Sequence, residues 1–219
     1  MFRLIIFDFD GVLALSNEAH VEAARRALDK AGVRRDVPQD ELTSHFGKPY
    51  KVILKLMMGD EYSKEKLDLA YEYHHDIIHS QWFLENIKPV PGLREFLQKL
   101  KGDGMKLAIA TGNERSFLDR TMDYLNLDGL FDLTLCAEDV ENSKPAPDIV
   151  LKAVEFFQVD KGDALFVGDA KSDILAAKGA GVTSVAVLSG VLDKEGAEEL
   201  KPDFIVDDIL DIYSITVNK

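Results

Sequence analysis

The apolar positions of the chain follow two different rhythms. Near the start, Leu4-Ile5-Ile6-Phe7 is an unbroken apolar run, which predicts a strand buried on both faces, as in a parallel sheet. From residue 17 the spacing becomes helical. Ala19, Ala23, Ala27 and Ala31 recur with Leu28, and the pattern stops at Gly32. Helical spacing restarts at Pro38 and Asp40, is interrupted by Gly47-Lys48-Pro49, and resumes through Val52, Ile53, Leu56 and Met57. Ser63 then precedes a long helical stretch to about Asn86, carrying Leu67, Ala70, Tyr71, His74, Ile77, Ile78, Trp82 and Phe83. Nothing between about 15 and 87 has the pattern of a strand.

After Pro89-Val90-Pro91-Gly92 the two rhythms alternate. Helices are predicted at 92–101, 114–125, 146–157, 172–179 and 193–200, and strands at 106–111, 133–137, 164–168, 183–188 and 204–206. Such alternation implies an α/β fold, a parallel sheet with helices on both faces. The first strand belongs with these later ones. The expected organisation is a core of 1–14 plus 88–219, with an all-helical domain, 15–87, inserted after the first strand.

Composition narrows the function. The 46% apolar fraction of the 219 residues is enough for a sizeable core. Lys and Arg total 26 against 39 Asp and Glu, a net charge of −13, which argues against general affinity for nucleic acid or anionic membranes. An anionic substrate must then be drawn in locally, by a metal or by placed lysines. Cys136 is the only cysteine, so no internal disulfide or cysteine-rich metal site can form. No apolar run approaches a membrane span, and Met1 leads into the first strand without a signal peptide. The expectation is a cytoplasmic protein, a monomer or else a homodimer, with no nucleic-acid or membrane partner.

The candidate chemistry collects where strands end. Asp8 and Asp10 follow Leu4–Phe7, and carboxylates at the end of a central parallel strand lie where open α/β sheets bind ligands. Two like charges so close need a cation nearby, or one of them must hold a proton. The site therefore reads as a metal site, an acid/base site, or both. Thr111-Gly112-Asn113 offers a hydroxyl, a close backbone approach and a helix start, which suits an oxyanion, although a turn capped by Asn113 explains it equally. Lys144, stiffened by Pro145 and Pro147, could neutralise carboxylates and clamp a phosphoryl group. Gly168-Asp169 ends a further apolar strand, and Asp173 follows in the first turn of the next helix.

Together these residues resemble the haloacid dehalogenase superfamily, in its branch of phosphoglycolate phosphatases and β-phosphoglucomutases with a helical cap. The resemblance covers the whole chain and rests on Asp8-Phe9-Asp10-Gly11-Val12, Thr111, Lys144, and Gly168-Asp169 with Asp173. Lys144-Pro145-Ala146-Pro147-Asp148 and Ala176-Ala177-Lys178-Gly179-Ala180-Gly181 fit the same branch. It implies a Rossmann-like core and a Mg²⁺-dependent phosphomonoester hydrolase acting on a small phosphorylated metabolite. In that reading Asp8 is the nucleophile that becomes an aspartyl phosphate, and Asp10 is the general acid and base. Thr111, Gly112, Asn113 and Lys144 hold the phosphoryl group. Mg²⁺ is bound by Asp8, the carbonyl of Asp10 and Asp169, with Asp173 in support.

Substrate choice is left to the cap. By the same resemblance His20, twelve residues after Asp8, and Lys48 and Lys51 in the Gly47–Lys51 loop are expected to face the substrate, against readings as a helix-surface histidine and solvated lysines. His75 and His79 have a spacing that can bind a metal but no further ligand in sight. Relatives often have an acid where this chain has Leu15, at the entry to the cap. The mutase branch has an acid where this chain has Gly168, so hydrolase is favoured over a mutase that returns phosphate to a sugar. A phospho-signalling receiver lacks such a helical insertion, and a catalytically silent binding protein would not need every one of these residues. A dehalogenase would lack Asp10.

Overall fold

The computed structural model describes residues 2–217, so Met1, Asn218 and Lys219, at the ends of the expected core segments, lie outside it. Its centre is β1 (Leu4–Phe7), whose four residues are all buried, as two-faced burial in a parallel sheet requires. The six-stranded sheet has the order β5-β4-β1-β6-β7-β8, in which β4 is Lys106–Ala110, β5 Leu133–Leu135, β6 Ala164–Gly168, β7 Thr183–Val187 and β8 Phe204–Val206. Every pairing is parallel. Leu4 lies opposite Lys106 on one side and Ala164 on the other, so β1, β4 and β6 end side by side.

Helices α6 (Leu93–Gly102), α7 (Arg115–Tyr124), α8 (Asp148–Phe157), α9 (Lys171–Ala180) and α10 (Lys194–Leu200) connect these strands, and α11 (Ile212–Val217) follows the last one. Leu4, Ile6, Ala108, Ala110 and Phe166 form one core with Ile149, Val150 and Ala153 of α8 and Ala176, Ala177 and Ala180 of α9. The small alanines of α9 let the helix lie close to the sheet, which brings its first turn to the strand ends.

Two compact units result: Met1–Leu15 with Pro89–Lys219, and Ser16–Lys88. Two-residue strands, β2 (Ala14–Leu15) and β3 (Lys88–Pro89), pair where the chain leaves and re-enters the α/β unit. The second unit is helical, with α1 (Asn17–Lys30), α2 (Gln39–Thr43), α3 (Tyr50–Met58), α4 (Lys64–Ile78) and α5 (Gln81–Glu85). Ala24, Ala27, Leu42, Ile53, Leu54, Met57 and Ala70 form its core.

The long helix expected from Ser63 to Asn86 is two helices. Ser63 caps the first, accepting from the Lys66 amide at 3.2 Å. The second starts at Ser80, whose hydroxyl accepts from the Phe83 amide at 3.3 Å. Trp82 and Phe83 continue the apolar rhythm across the break, which hid a second cap. No described helix is long and apolar enough to cross a membrane.

Candidate active site

The chain leaves β1 at Phe7, and the Asp8 amide still donates to the Val167 carbonyl at 2.9 Å. It then turns at once. The Gly11 amide donates to Ala14 O at 2.8 Å, and Gly11 sits at φ 73°, where a side chain is disfavoured. The turn follows the strand so closely that Asp8 and Asp10 both stay beside the ends of β4 and β6.

Lys144 is the hub. Its buried Nζ lies 2.8 Å from Asp8 Oδ1 and 2.7 Å from Asp173 Oδ1, and it also donates to Ala110 O at 3.3 Å. Those contacts use all three ammonium hydrogens. Asp173 is equally committed, because its Oδ2 accepts from the Ala170 amide at 3.0 Å. Asp173 therefore ties Lys144 to the start of α9. Gly168 makes this possible, since a Cβ there would fall 2.2 Å from the Asp173 Cβ.

Asp169 is clamped by a loop that the sequence pattern did not single out. Its Oδ2 accepts from the Val191 amide and its carbonyl from the Leu192 amide, both at 2.9 Å. A Cβ on Gly190 would lie 1.9 Å from Asp169 Oδ2, so only glycine lets this loop close. The signal was Ser189-Gly190, one residue past β7, close to the strand-end position of the other candidates.

Thr111 is buried at the end of β4, held by its amide on Leu135 O at 3.1 Å. Nothing lies within 4 Å of where a Gly112 Cβ would be, so the backbone there is open to approach. Asn113 does not cap α7, whose N-cap is Glu114. Instead its Nδ2 donates to Asp10 Oδ2 at 2.6 Å, across 103 residues of sequence.

Carboxylate oxygens of Asp8, Asp169 and Asp173 all lie within 4.8 Å of one another. One lysine cannot balance three acids of which Asp169 and Asp173 are buried and Asp8 nearly so, and the energetics follow. Burial, then the Asp173 charge, push Asp8 up to about 7 against the pull of Lys144. Burial, Asp173 and Asp8 likewise push Asp169 well above the usual carboxylate range. Burial alone would lower Lys144, but Asp173 and Asp8 outweigh it and raise its pKa. The cluster could hold a metal ion: its oxygens are close enough to share one, and a divalent cation would relieve the repulsion among them.

His20, Lys48 and Lys51 lie in the helical unit. His20 is buried, not on a helix surface, with its ring 4.8 Å from Phe83 and stacked at 5.3 Å on Tyr50. Lys48 Nζ is 3.0 Å from His45 Nδ1 on an exposed turn, and Lys51 pairs with Asp68 at 3.2 Å. His75 and His79 stack on each other at 4.2 Å.

Comparison with known proteins identifies the family. A family model described as haloacid dehalogenase-like hydrolase matches residues 5–187. The chain is 31% identical over 192 residues to the phosphoglycolate phosphatase of Aquifex aeolicus, covering 86% of this chain and 85% of that one. It is 29% identical over 215 residues to pyrophosphatase PpaX of Bacillus cereus, covering 98% and 96%. A solved hydrolase from Pseudomonas syringae has a TM-score of 0.83 at 27% identity, covering 97% of both chains.

Proposed function

The chain belongs to the haloacid dehalogenase-like hydrolases and is an enzyme of their phosphatase kind, and from that premise we propose that it is a Mg²⁺-dependent phosphatase working through an aspartyl phosphate on Asp8. The observation that carries this reading is the bridging of Asp8 and Asp173 by buried Lys144, beside Asp169 and Asp10. That arrangement places a carboxylate nucleophile against fixed positive charge. Phosphoryl transfer depends on such positioning and charge neutralisation more than on covalent help from the protein.

Asp8 and Asp169, with the Asp10 carbonyl, would hold the cation, and Asp173 supports it by keeping Lys144 in place. The chemistry a bound Mg²⁺ supplies is neutralisation of the charge on the phosphoryl oxygens. Asp8 attacks phosphorus, the bond from phosphorus to the leaving oxygen breaks, and Asp10 gives that oxygen its proton. Asp10 then takes a proton from water as the water attacks phosphorus, and Asp8 leaves as a carboxylate. Thr111, the open backbone at Gly112 and Lys144 orient the phosphoryl oxygens throughout.

The acceptor in the second step is water and not a sugar hydroxyl. In the mutase branch an acid precedes the strand-end aspartate, but here the Asp173 side chain occupies the space above Gly168. The substrate is a small phosphorylated metabolite, of the class that the relatives' names indicate: a phosphorylated hydroxy acid or a pyrophosphate. The helical unit, through Lys48, selects among them. The single-cysteine composition suits work in a reducing cytoplasm. The test is a panel of phosphomonoesters and pyrophosphate assayed with Mg²⁺ and with chelator. Chelator-sensitive phosphate release from at least one supports the reading; release unaffected by chelator, or none at all, defeats it.

A further inference from the structure

The Asn113 side chain makes a contact that phosphoryl binding does not call for. Its Nδ2 donates to Asp10 Oδ2 at 2.6 Å, shorter than a usual N–H···O bond, as expected for a carboxylate acceptor. The backbone beneath it is pinned on both sides: its amide donates to Thr111 Oγ1 at 3.2 Å, and its carbonyl accepts from the Ala137 amide at 3.0 Å. The Ala137 turn is braced in turn. Arg115 donates to Thr134 Oγ1 at 2.7 Å and pairs with Asp139 at 2.6 Å, and Asp139 also accepts from the Cys136 amide at 2.8 Å. Asn113 is thus a fixed post at the end of β4, reaching across to the turn that follows β1.

Asp10 needs such a post. It stands past the end of β1, at the start of a tight turn beside Gly11 that bridges back at Ala14. Proton transfer to a leaving oxygen requires the carboxyl to sit within hydrogen-bond reach in the right direction. From this geometry we infer that Asn113 is a positioning residue for Asp10: it grips one carboxyl oxygen so that the other faces the leaving group. An amide suits the task because it donates without titrating, so it does not compete for the proton that Asp10 carries.

This inference rests on the phosphatase reading, and leaving-group dependence separates the two. A poor alkoxide leaving group needs the proton from Asp10, whereas para-nitrophenolate does not. For Asn113→Ala, kcat/KM on an alkyl phosphate should fall about 10²-fold, the usual result of misplacing a reacting group. Para-nitrophenyl phosphate should change by no more than about threefold, because its departure does not rely on a general acid. Asn113→Leu, of similar bulk but without the donor, should behave alike, and inhibition by inorganic phosphate should be unchanged in both. In an Asp10→Ala background the Asn113 change should cost nothing more, as expected for residues acting as a unit. Equal losses on both substrates, or weaker phosphate inhibition in step with them, would make Asn113 a phosphoryl-binding residue and overturn the inference. A wild-type enzyme inactive on every phosphate ester would instead overturn the phosphatase reading, and this inference with it.

Discussion

Gly168 and Asp173 share one space: the position of a Cβ on Gly168 is 2.2 Å from the Asp173 Cβ and 2.6 Å from its Oδ2. The end of β6 must therefore be bare for Asp173 to reach Lys144. Gly168→Ala should destabilise the fold by about 1–3 kcal/mol, as overpacking does. It should also sharply lower activity by dislodging Asp173. Pairing it with Asp173→Gly should recover the stability lost to the clash but not the activity, because Lys144 loses a partner. Urea unfolding of the two single variants and the double one measures this coupling. Strict additivity would contradict it.

The acid cluster around Asp8 and Asp169 should make stability depend on cation. With Mg²⁺ at 100 times its dissociation constant, linkage gives about 2.7 kcal/mol of stabilisation. For a chain of this size that corresponds to a rise in Tm of about 5–10 °C. Asp169→Asn should remove the rise. Thermal melts with Mg²⁺ and with chelator check it, and a shift that survives Asp169→Asn would place the ion elsewhere.

His74 should make the helical unit acid-sensitive. Its ring is buried 4.2 Å from that of Tyr50, and its Nε2 has no hydrogen-bond partner among the described residues. Burial, then His20, His75 and His79, lower its pKa to about 3. The unfolded chain takes up a proton below about pH 6.5 while the folded one does not, so stability falls as pH drops through that window. The slope is about 1.4 kcal/mol per pH unit, or about 2 kcal/mol between pH 6.5 and 5. The difference between wild type and His74→Phe isolates this contribution from that of the acid cluster. Denaturation midpoints that move in parallel from pH 7 to pH 5 would contradict it.

Local patterns were legible, and long-range ones were not. Leu4–Phe7 announced a buried strand because an unbroken apolar run of four fits a strand covered on both faces. Asp8, Thr111 and Asp169 could be singled out because each follows an apolar strand, and Lys144 because it precedes a proline turn. The break at Ser80 was hidden because Trp82 and Phe83 keep the helical rhythm. Asn113 read as a phosphoryl holder or a helix cap, and its bond to Asp10 was hidden because that partner lies 103 residues away. The Gly190–Val191 clamp was missed for the same reason: its meaning lies in Asp169, on a neighbouring strand. The burial of His20 was hidden, because an alanine-rich helix face does not disclose the aromatic rings of Tyr50 and Phe83 that cover it.

The two cap lysines should separate in their effects. Lys51 is already paired with Asp68 and lies 5.4 Å from the Tyr71 ring centroid, whereas the exposed Lys48 neighbours the half-buried His45. Lys48→Ala should change the ranking of substrates by kcat/KM, and Lys51→Ala should lower cap stability by an amount typical of an exposed pair, about 0.2–1 kcal/mol. A substrate panel and a denaturation curve for each variant decide it. An unchanged ranking for Lys48→Ala would make that turn a solvated connection.

The central claim is that Asp8 carries the phosphoryl group between two half-reactions. Its direct measurement is mass spectrometry of enzyme quenched in acid during turnover of para-nitrophenyl phosphate, followed by peptide mapping. The result predicted is a peptide containing Asp8 heavier by one HPO₃, absent in Asp8→Asn and accumulating in Asp10→Ala, where hydrolysis lacks its base. Turnover without any phosphorylated peptide, or a phosphoryl group on another residue, would contradict the account.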